Sequence, residues 1–165
     1  LNYLDVSDED IVVDVQGDEP LIYPETIDTL VSNFKLSSFD IMLPYIEIND
    51  TNNVNIVKIS TVGKKIIYMS RMDIPCPFSQ DRKLKKHLSI IAFTVSALRK
   101  YSHMKKSELE KIESIELLRA LESGLEIGTF QESKESFSVD VIEDYHRANR
   151  YMRDDKVYKR YRLVQ

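Results

Sequence analysis

The chain has 165 residues, 42% of them hydrophobic and 30% charged, which is the size and make-up of one globular domain with a core of its own. Its net charge of −4 offers no basic footprint for nucleic acid, no apolar run reaches the roughly 18 residues of a membrane span, and no signal peptide is visible at its start. The single cysteine, Cys76, excludes an internal disulfide and fits a reducing, cytoplasmic setting. The sequence opens on Leu1 and an acidic stretch that leads straight into an apolar strand, as expected of a chain cut between two elements of a longer protein.

Ile11–Val15 is β-branched and predicts a buried strand. Gln16, Gly17, Asp18, Glu19 and Pro20 end it: Gly17 permits unusual backbone angles and Pro20 cannot donate to a ladder. Pro24 followed by Ile27, Leu30, Val31 and Phe34 has helical spacing with proline in the first turn. Strand, loop and helix in this order are the mark of an α/β protein. Ile41–Ile48 predicts a second strand, with Pro44 pointing to an edge or a bulge, and 50–53 a polar turn. Residues 54–62 and 66–70 flank Gly63 and Lys64 as a hairpin. Pro75, Pro77 and the charged run 81–86 predict an exposed, mobile loop. Residues 88–94 read as a strand, and Leu98 and Tyr101 sit on a short helix. Ser107 and Glu110 match a capping box, opening a helix through Leu109, Ile112, Leu118 and Leu121 to about Gly124. Residues 125–130 and 137–139 are short strands, and a helix from about Val141 carries Ile142, Tyr145 and Met152. The whole is a single mixed α/β domain over 1–165 without internal repeats.

Asp18 follows a strand in a glycine-containing turn, the place where α/β proteins bind ligands. A carboxylate there can hold Mg²⁺, which takes oxygen ligands and substrate phosphates, or can simply cap its own turn. Asp140 stands between the predicted strand 137–139 and a helix, as a second metal ligand or as that helix's N-cap. Arg71 follows the apolar strand and can take a carboxylate in bidentate fashion, or join a surface ion pair. His87 opens a strand and can donate a hydrogen bond to an anionic substrate, or serve as a satisfied strand-end histidine. His103, His146 and Cys76 have no zinc-ligand spacing, and there is no nucleophile elbow or Walker loop. Tyr, Arg and Lys alternate over 151–162, a pattern that suits nucleic acid but more often marks a solvated helix face.

Taken together, five blocks resemble the 3-deoxy-manno-octulosonate cytidylyltransferase (CMP-Kdo synthetase) family, in the family's order and over nearly the whole chain. V-D-V-Q-G-D-E-P at 13–20 resembles its V-N-V-Q-G-D-E-P. Y-M-S-R-M-D-I-P at 68–75 resembles its Y-F-S-R-x-x-I-P. Lys86, His87 and Leu88 resemble the start of its H-L-G-I-Y-x-Y block, and S-E-L-E-K-I-E-S-I-E-L-L-R at 107–119 its S-P-L-E-x-I-E-x-L-E-Q-L-R. Ser138, Val139 and Asp140, with Glu143 and Asp144 after them, resemble its G-V-D-T-P-E-D-L. The resemblance implies a nucleotide-diphospho-sugar transferase fold, a mixed sheet with flanking helices, whose sugar-binding and dimerising part covers about 40–105. It implies transfer of CMP from CTP to an acidic sugar, with pyrophosphate released, in lipopolysaccharide or surface polysaccharide synthesis by a cytoplasmic homodimer. It places catalysis and Mg²⁺ on Asp18 and Asp140, and substrate binding on Gln16, Arg71, His87 and Glu116.

Three departures qualify what the resemblance implies. The family's N-terminal phosphate-binding block, I-P-A-R-x-x-S-x-R-L-P-G-K-P, is absent, so the chain by itself is expected to bind CTP poorly and to be inactive. The tyrosines of H-L-G-I-Y-x-Y are replaced by Ile91 and Phe93, and the glutamine of L-E-Q-L-R by Leu117. A site that loses hydrogen-bond partners favours a substrate lacking the matching hydroxyl, so a modified or related acidic sugar is expected rather than Kdo itself. A transferase for neuraminate-like sugars and a non-catalytic sugar-binding or dimerisation module are the alternatives.

Overall fold

In the computed structural model, which describes residues 5–49, 52–76, 78 and 81–162, the β-branched run Ile11–Val15 forms β1. It pairs antiparallel with β6 (Ile90–Thr94), Ile11 opposite Thr94 and Val15 opposite Ile90. The strand expected to be buried is instead at an edge of the sheet among the described residues, with Asp14 and Val15 exposed. After it, α1 (Pro24–Lys35) buries Leu30 and Phe34 against Met42, Ile90 and Ala92, as the apolar spacing predicts.

β2 (Ile41–Ile48) is the central strand. It runs parallel to β7 (Ile127–Gln131) on one side. On the other it pairs antiparallel first with β6 and then with β5 (Leu84–His87). Pro44 is buried here, not at an edge. It lies where the partner changes from β6 to β5, a break that accommodates its missing N–H, and its carbonyl accepts from the Leu88 N–H at 2.9 Å. β3 (Lys58–Val62) and β4 (Lys65–Ser70) form the expected hairpin around Gly63, whose φ of +58° glycine adopts without steric cost. β3 meets β5 at Lys58 and Lys86, and β4 meets β7 at Lys65 and Gly128. The seven-stranded order β1-β6-β2-β5-β3-β4-β7 therefore returns on itself through β2–β7. The main core, with Ile41, Ile59, Met69, Leu118 and Ile127, lies between the sheet and α2 (Val95–Ser102), α3 (Glu108–Glu113) and α4 (Leu118–Glu122).

Several local expectations are corrected. The charged run 81–86 is not simply a loop: Leu84 is fully buried, so Leu84–His87 joins the sheet. Its lysines lay their stems over neighbours, Lys85 crossing the Tyr45 ring to reach Thr61 Oγ1 at 2.6 Å. The strand predicted over 54–62 begins only at Lys58, and that over 88–94 only at Ile90. The capping box of Ser107 and Glu110 is present, but the helix after it breaks at Ser114, which takes a left-handed φ of 53°. Residues 137–139 form no strand, and the last helix is divided into α5 (Ile142–Met152) and α6 (Lys156–Arg162). Asp50 and Thr51 of the predicted polar turn, Pro77 of the predicted loop, and Leu1 lie outside the described residues.

Gly128 marks the tightest point between β7 and the segment before β2, since a Cβ there would lie 2.2 Å from the Phe39 ring. Gly128→Ala is expected to destabilise the protein by about 1–3 kcal/mol through overpacking, read as a lower denaturant midpoint with an unchanged slope.

Candidate active site

β1, β2 and β7 run in the same direction, because β6 is antiparallel to both β1 and β2 and β7 is parallel to β2. The segments that leave the carboxyl ends of β1 and β7 therefore emerge on the same side, as ligand-binding loops of α/β sheets do. They are tied together. The Val139 N–H donates to the Asp18 carbonyl at 2.9 Å, and the buried Ser136 hydroxyl donates to the buried Glu19 carboxylate. Asp18 and Asp140, far apart in sequence, are thus carried on joined loops. Their carboxylates line different cavities: Asp140 one of about 620 Å³, Asp18 a neighbouring one of about 420 Å³ walled by Val139, Tyr145 and Met152.

Neither carboxylate takes its ordinary local role. The turn at 16–19 is closed by the Glu19 N–H and the Gln16 carbonyl at 3.2 Å, and the Asp18 carboxylate has no hydrogen-bond partner among the described residues. Asp140 is not the N-cap of α5; Val141 is, and the Asp144 carboxylate accepts from the Val141 N–H at 3.4 Å. Among the described residues, the Asp140 carboxylate accepts only from the Ser138 hydroxyl, at 2.7 Å. No group of three or more metal-ligating side chains occurs among the described residues. Two accessible carboxylates remain a donor set suited to Mg²⁺, which takes one or two protein carboxylates and completes its shell with phosphate and water.

The wall of the large cavity also carries two cations, Arg71 and Lys86. Arg71 is not in a surface ion pair. Its guanidinium donates to three carbonyls, those of Glu113 (2.8 Å), Val54 (3.0 Å) and Ser114 (3.1 Å). The left-handed turn at Ser114 brings two of those carbonyls into reach. The Glu113 carboxylate fixes the same stretch from its other side, accepting from the Arg71 N–H at 3.0 Å and the Ser70 hydroxyl at 2.8 Å. Beneath lies Lys58, whose side chain is fully buried. Its ammonium pairs with Asp73 at 3.2 Å and donates to the carbonyls of Asn53 (2.9 Å), Ile56 (2.8 Å) and Arg71.

His87 stands between this large cavity and a smaller one of about 210 Å³, lining both. Gln16 and Glu116 belong to the smaller cavity, together with Ile91 and Leu117. Desolvation of the His87 imidazole, reinforced by the charges of Lys86 and Arg71 and opposed by its bond to Leu88, pushes its pKa down to about 4. At neutral pH the ring is therefore uncharged. Its Nδ1 faces the Leu88 carbonyl at 3.2 Å, a contact in which only the nitrogen can donate. That leaves Nε2 as an acceptor, where the sequence reading had the ring as a donor to an anion.

Sequence reasoning thus named residues that line three cavities and missed those that hold them. Lys58 carried a signal, a charge inside the apolar run Ile56, Val57 and Ile59, because lysine is almost never fully buried unless paired. Glu19 carried one in its place beside Asp18, whereas Glu113, within an amphipathic helix of ordinary acidic character, carried none.

The fold is that of nucleotide-sugar-forming transferases. The structure matches one titled CMP:2-keto-3-deoxy-manno-octonic acid synthetase complexed with CTP, with a TM-score of 0.84 and 27% identity over 88% of this chain and 62% of that one. It also matches a putative glucose-1-phosphate thymidylyltransferase from Bacillus anthracis in fold alone, with a TM-score of 0.60 and 15% identity over 90% of this chain and 56% of that one. The cytidylyltransferase family model matches residues 1–127, and the chain belongs to that family. Similar curated proteins are 3-deoxy-manno-octulosonate cytidylyltransferases. That of a Nitratiruptor species is 33% identical over 156 residues, and one from Leptospira interrogans 36% identical over 155. Each alignment covers 86% of this chain, which spans 62% of the relative's length.

The His87 environment makes stability depend on pH with a definite sign. The folded pKa lies below the ordinary value of 6.5, so as pH falls the unfolded chain takes up the proton first. Stability from the neutral ring is complete above about 6.5 and is lost as pH falls toward about 4. Denaturant midpoints measured from pH 7 to pH 4 are expected to fall more steeply for the native sequence than for His87→Gln; parallel curves contradict the assignment.

Proposed function

We propose that this chain forms the sugar-binding and metal-binding part of a cytidylyltransferase that activates an acidic 3-deoxy sugar, Kdo or a related ulosonic acid. CMP passes from CTP to the sugar's anomeric hydroxyl, and pyrophosphate leaves, supplying lipopolysaccharide or surface polysaccharide synthesis in the cytoplasm. The observation that carries the reading is a single cavity lined by two cations, Arg71 and Lys86, by the carboxylate residue Asp140 and by neutral His87. A sugar acid matches this lining: a carboxylate for the cations and hydroxyls for the neutral imidazole, beside the aspartate that would hold the triphosphate's metal.

Three of the five Arg71 donors are engaged, so the remaining two can hold the carboxylate. His87 Nε2 accepts from a sugar hydroxyl, and Gln16 and Glu116 contact others in the smaller cavity. Asp18 and Asp140 would hold Mg²⁺, which when bound neutralises charge on the phosphates. The residues described here orient the hydroxyl for attack on the α-phosphorus as the bond to pyrophosphate breaks, and positioning of this kind supplies much of the barrier reduction. The apolar Ile91 and Leu117 in the smaller cavity favour a relative of Kdo with fewer hydroxyls; a marked preference for Kdo itself contradicts that part. In a homodimer the β3–β4 hairpin, with Val62 67% and Ile67 53% exposed, is the interface we favour.

Asp140→Ala in the full-length protein is expected to lower Mg²⁺-dependent pyrophosphate release from CTP by roughly 100-fold or more. The fold should be retained, since among the described residues the exposed Asp140 side chain engages only Ser138. A mutant of full activity removes Asp140 from the metal site.

A further inference from the structure

We propose that Lys86 is a second cation for the substrate carboxylate, held in reserve by Glu135 and transferred to the sugar acid when it enters the cavity. The inference rests on the reading of this cavity as an acidic-sugar site. Arg71 alone offers an incomplete anion site. Three of its N–H groups are committed to the carbonyls of Glu113, Val54 and Ser114. The two that remain leave much of a carboxylate's acceptor capacity, about four lone-pair sites, unanswered. The nearest alternative, Lys58, is fully buried and has its ammonium engaged by Asp73 and three carbonyls.

Lys86 is placed differently. Its backbone is fixed on both sides in β5, opposite Ile46 of β2 and Lys58 of β3. Its side chain lines the large cavity beside His87 and Arg71 and is 19% exposed. Its ammonium lies 3.1 Å from Glu135 Oε1, on a side chain that is 56% exposed. An ion pair of that exposure contributes only about 0.2–1 kcal/mol. A carboxylate held at the same time by Arg71, inside the cavity, competes well against it. Glu135 thus holds the ammonium of a cavity-lining side chain at small cost to substrate binding.

The exchange also reaches the metal end. Glu135 belongs to the irregular segment 132–140 that carries Asp140. This segment is tied down by Lys134 to Glu25 at 3.2 Å, Lys86 to Glu135, Ser136 to Glu19 and Val139 to Asp18. Moving Lys86 to the substrate frees one of these ties and leaves the two nearest Asp140 in place. Sugar binding therefore alters the segment at Glu135 without displacing Asp140.

The test uses the full-length protein with CTP, Mg²⁺ and Kdo as the probe, reading pyrophosphate release. Lys86→Gln is expected to raise the KM for Kdo roughly ten-fold with kcat nearly unchanged, the loss of one charge-assisted hydrogen bond. Lys86→Arg restores it. Glu135→Gln removes the competitor and is expected to lower that KM by about two- to five-fold. The double variant should behave as Lys86→Gln does. A Glu135→Gln KM equal to or above the native value, as a mere tether would give, overturns the proposal, and so does an unchanged KM for Lys86→Gln. If the native protein turns over no sugar acid, the underlying reading fails and takes the proposal with it; turnover without this mutant pattern defeats the proposal alone.

Discussion

A single buried ammonium, that of Lys58, organises the cationic side of this molecule. A charge removed from water costs several kcal/mol unless it is paired and its donors are satisfied. Here Asp73 supplies the countercharge, and the carbonyls of Asn53, Ile56 and Arg71 supply the acceptors. Those acceptors belong to two separate loops, before β3 and after β4, so satisfying the lysine brings both loops together. With the Arg71 carbonyl held from below and its N–H held by Glu113, the guanidinium reaches the carbonyls of Val54, Glu113 and Ser114. The placement of the Arg71 guanidinium is in this way a consequence of burying a charge in the β3 strand.

The acidic end is built on another principle. Asp18 and Asp140 sit on exposed loops that meet because β1 and β7 run in the same direction, and a backbone bond and one buried hydroxyl–carboxylate contact join them. These two carboxylates face water, whereas the Arg71 guanidinium is held in place by three carbonyls. His87, which lines the same cavity as Arg71 and Asp140, is kept neutral by desolvation and by its cationic neighbours. A neutral acceptor there suits a hydroxyl-bearing ligand and repels neither end of a sugar acid.

Where the sequence carried a repeating apolar pattern, the structure was legible in it. α1, β2, the hairpin and the capping box at Ser107 all follow from spacing and from Pro, Gly and Ser positions. The failures came where tertiary context decided. Leu84 drew a lysine-rich run into the sheet, because a single buried leucine between two partner strands outweighs exposed charge. Ser114 broke a helix whose apolar spacing continues on both sides, and the break serves Arg71. Residues 137–139 look like a strand by composition yet find no sheet partner, being occupied with Asp18. In the site, Asp18, Arg71 and Asp140 could be singled out from their blocks, while the parts played by Glu113 and Lys86 could not. Their meaning lies in partners 42 and 49 residues away along the chain, Arg71 and Glu135.

The most direct test is whether turnover depends on the substrate's own carboxylate. Pyrophosphate release from CTP with Mg²⁺ would be compared for Kdo and for its carboxamide, which keeps the ring and hydroxyls and removes only the charge. The account predicts turnover with the acid and roughly a 100-fold or greater loss of kcat/KM with the amide, since two cations would face a neutral group. Equal turnover of acid and amide would contradict it, and would mean that Arg71 and Lys86 serve the architecture of the cavity and not its ligand.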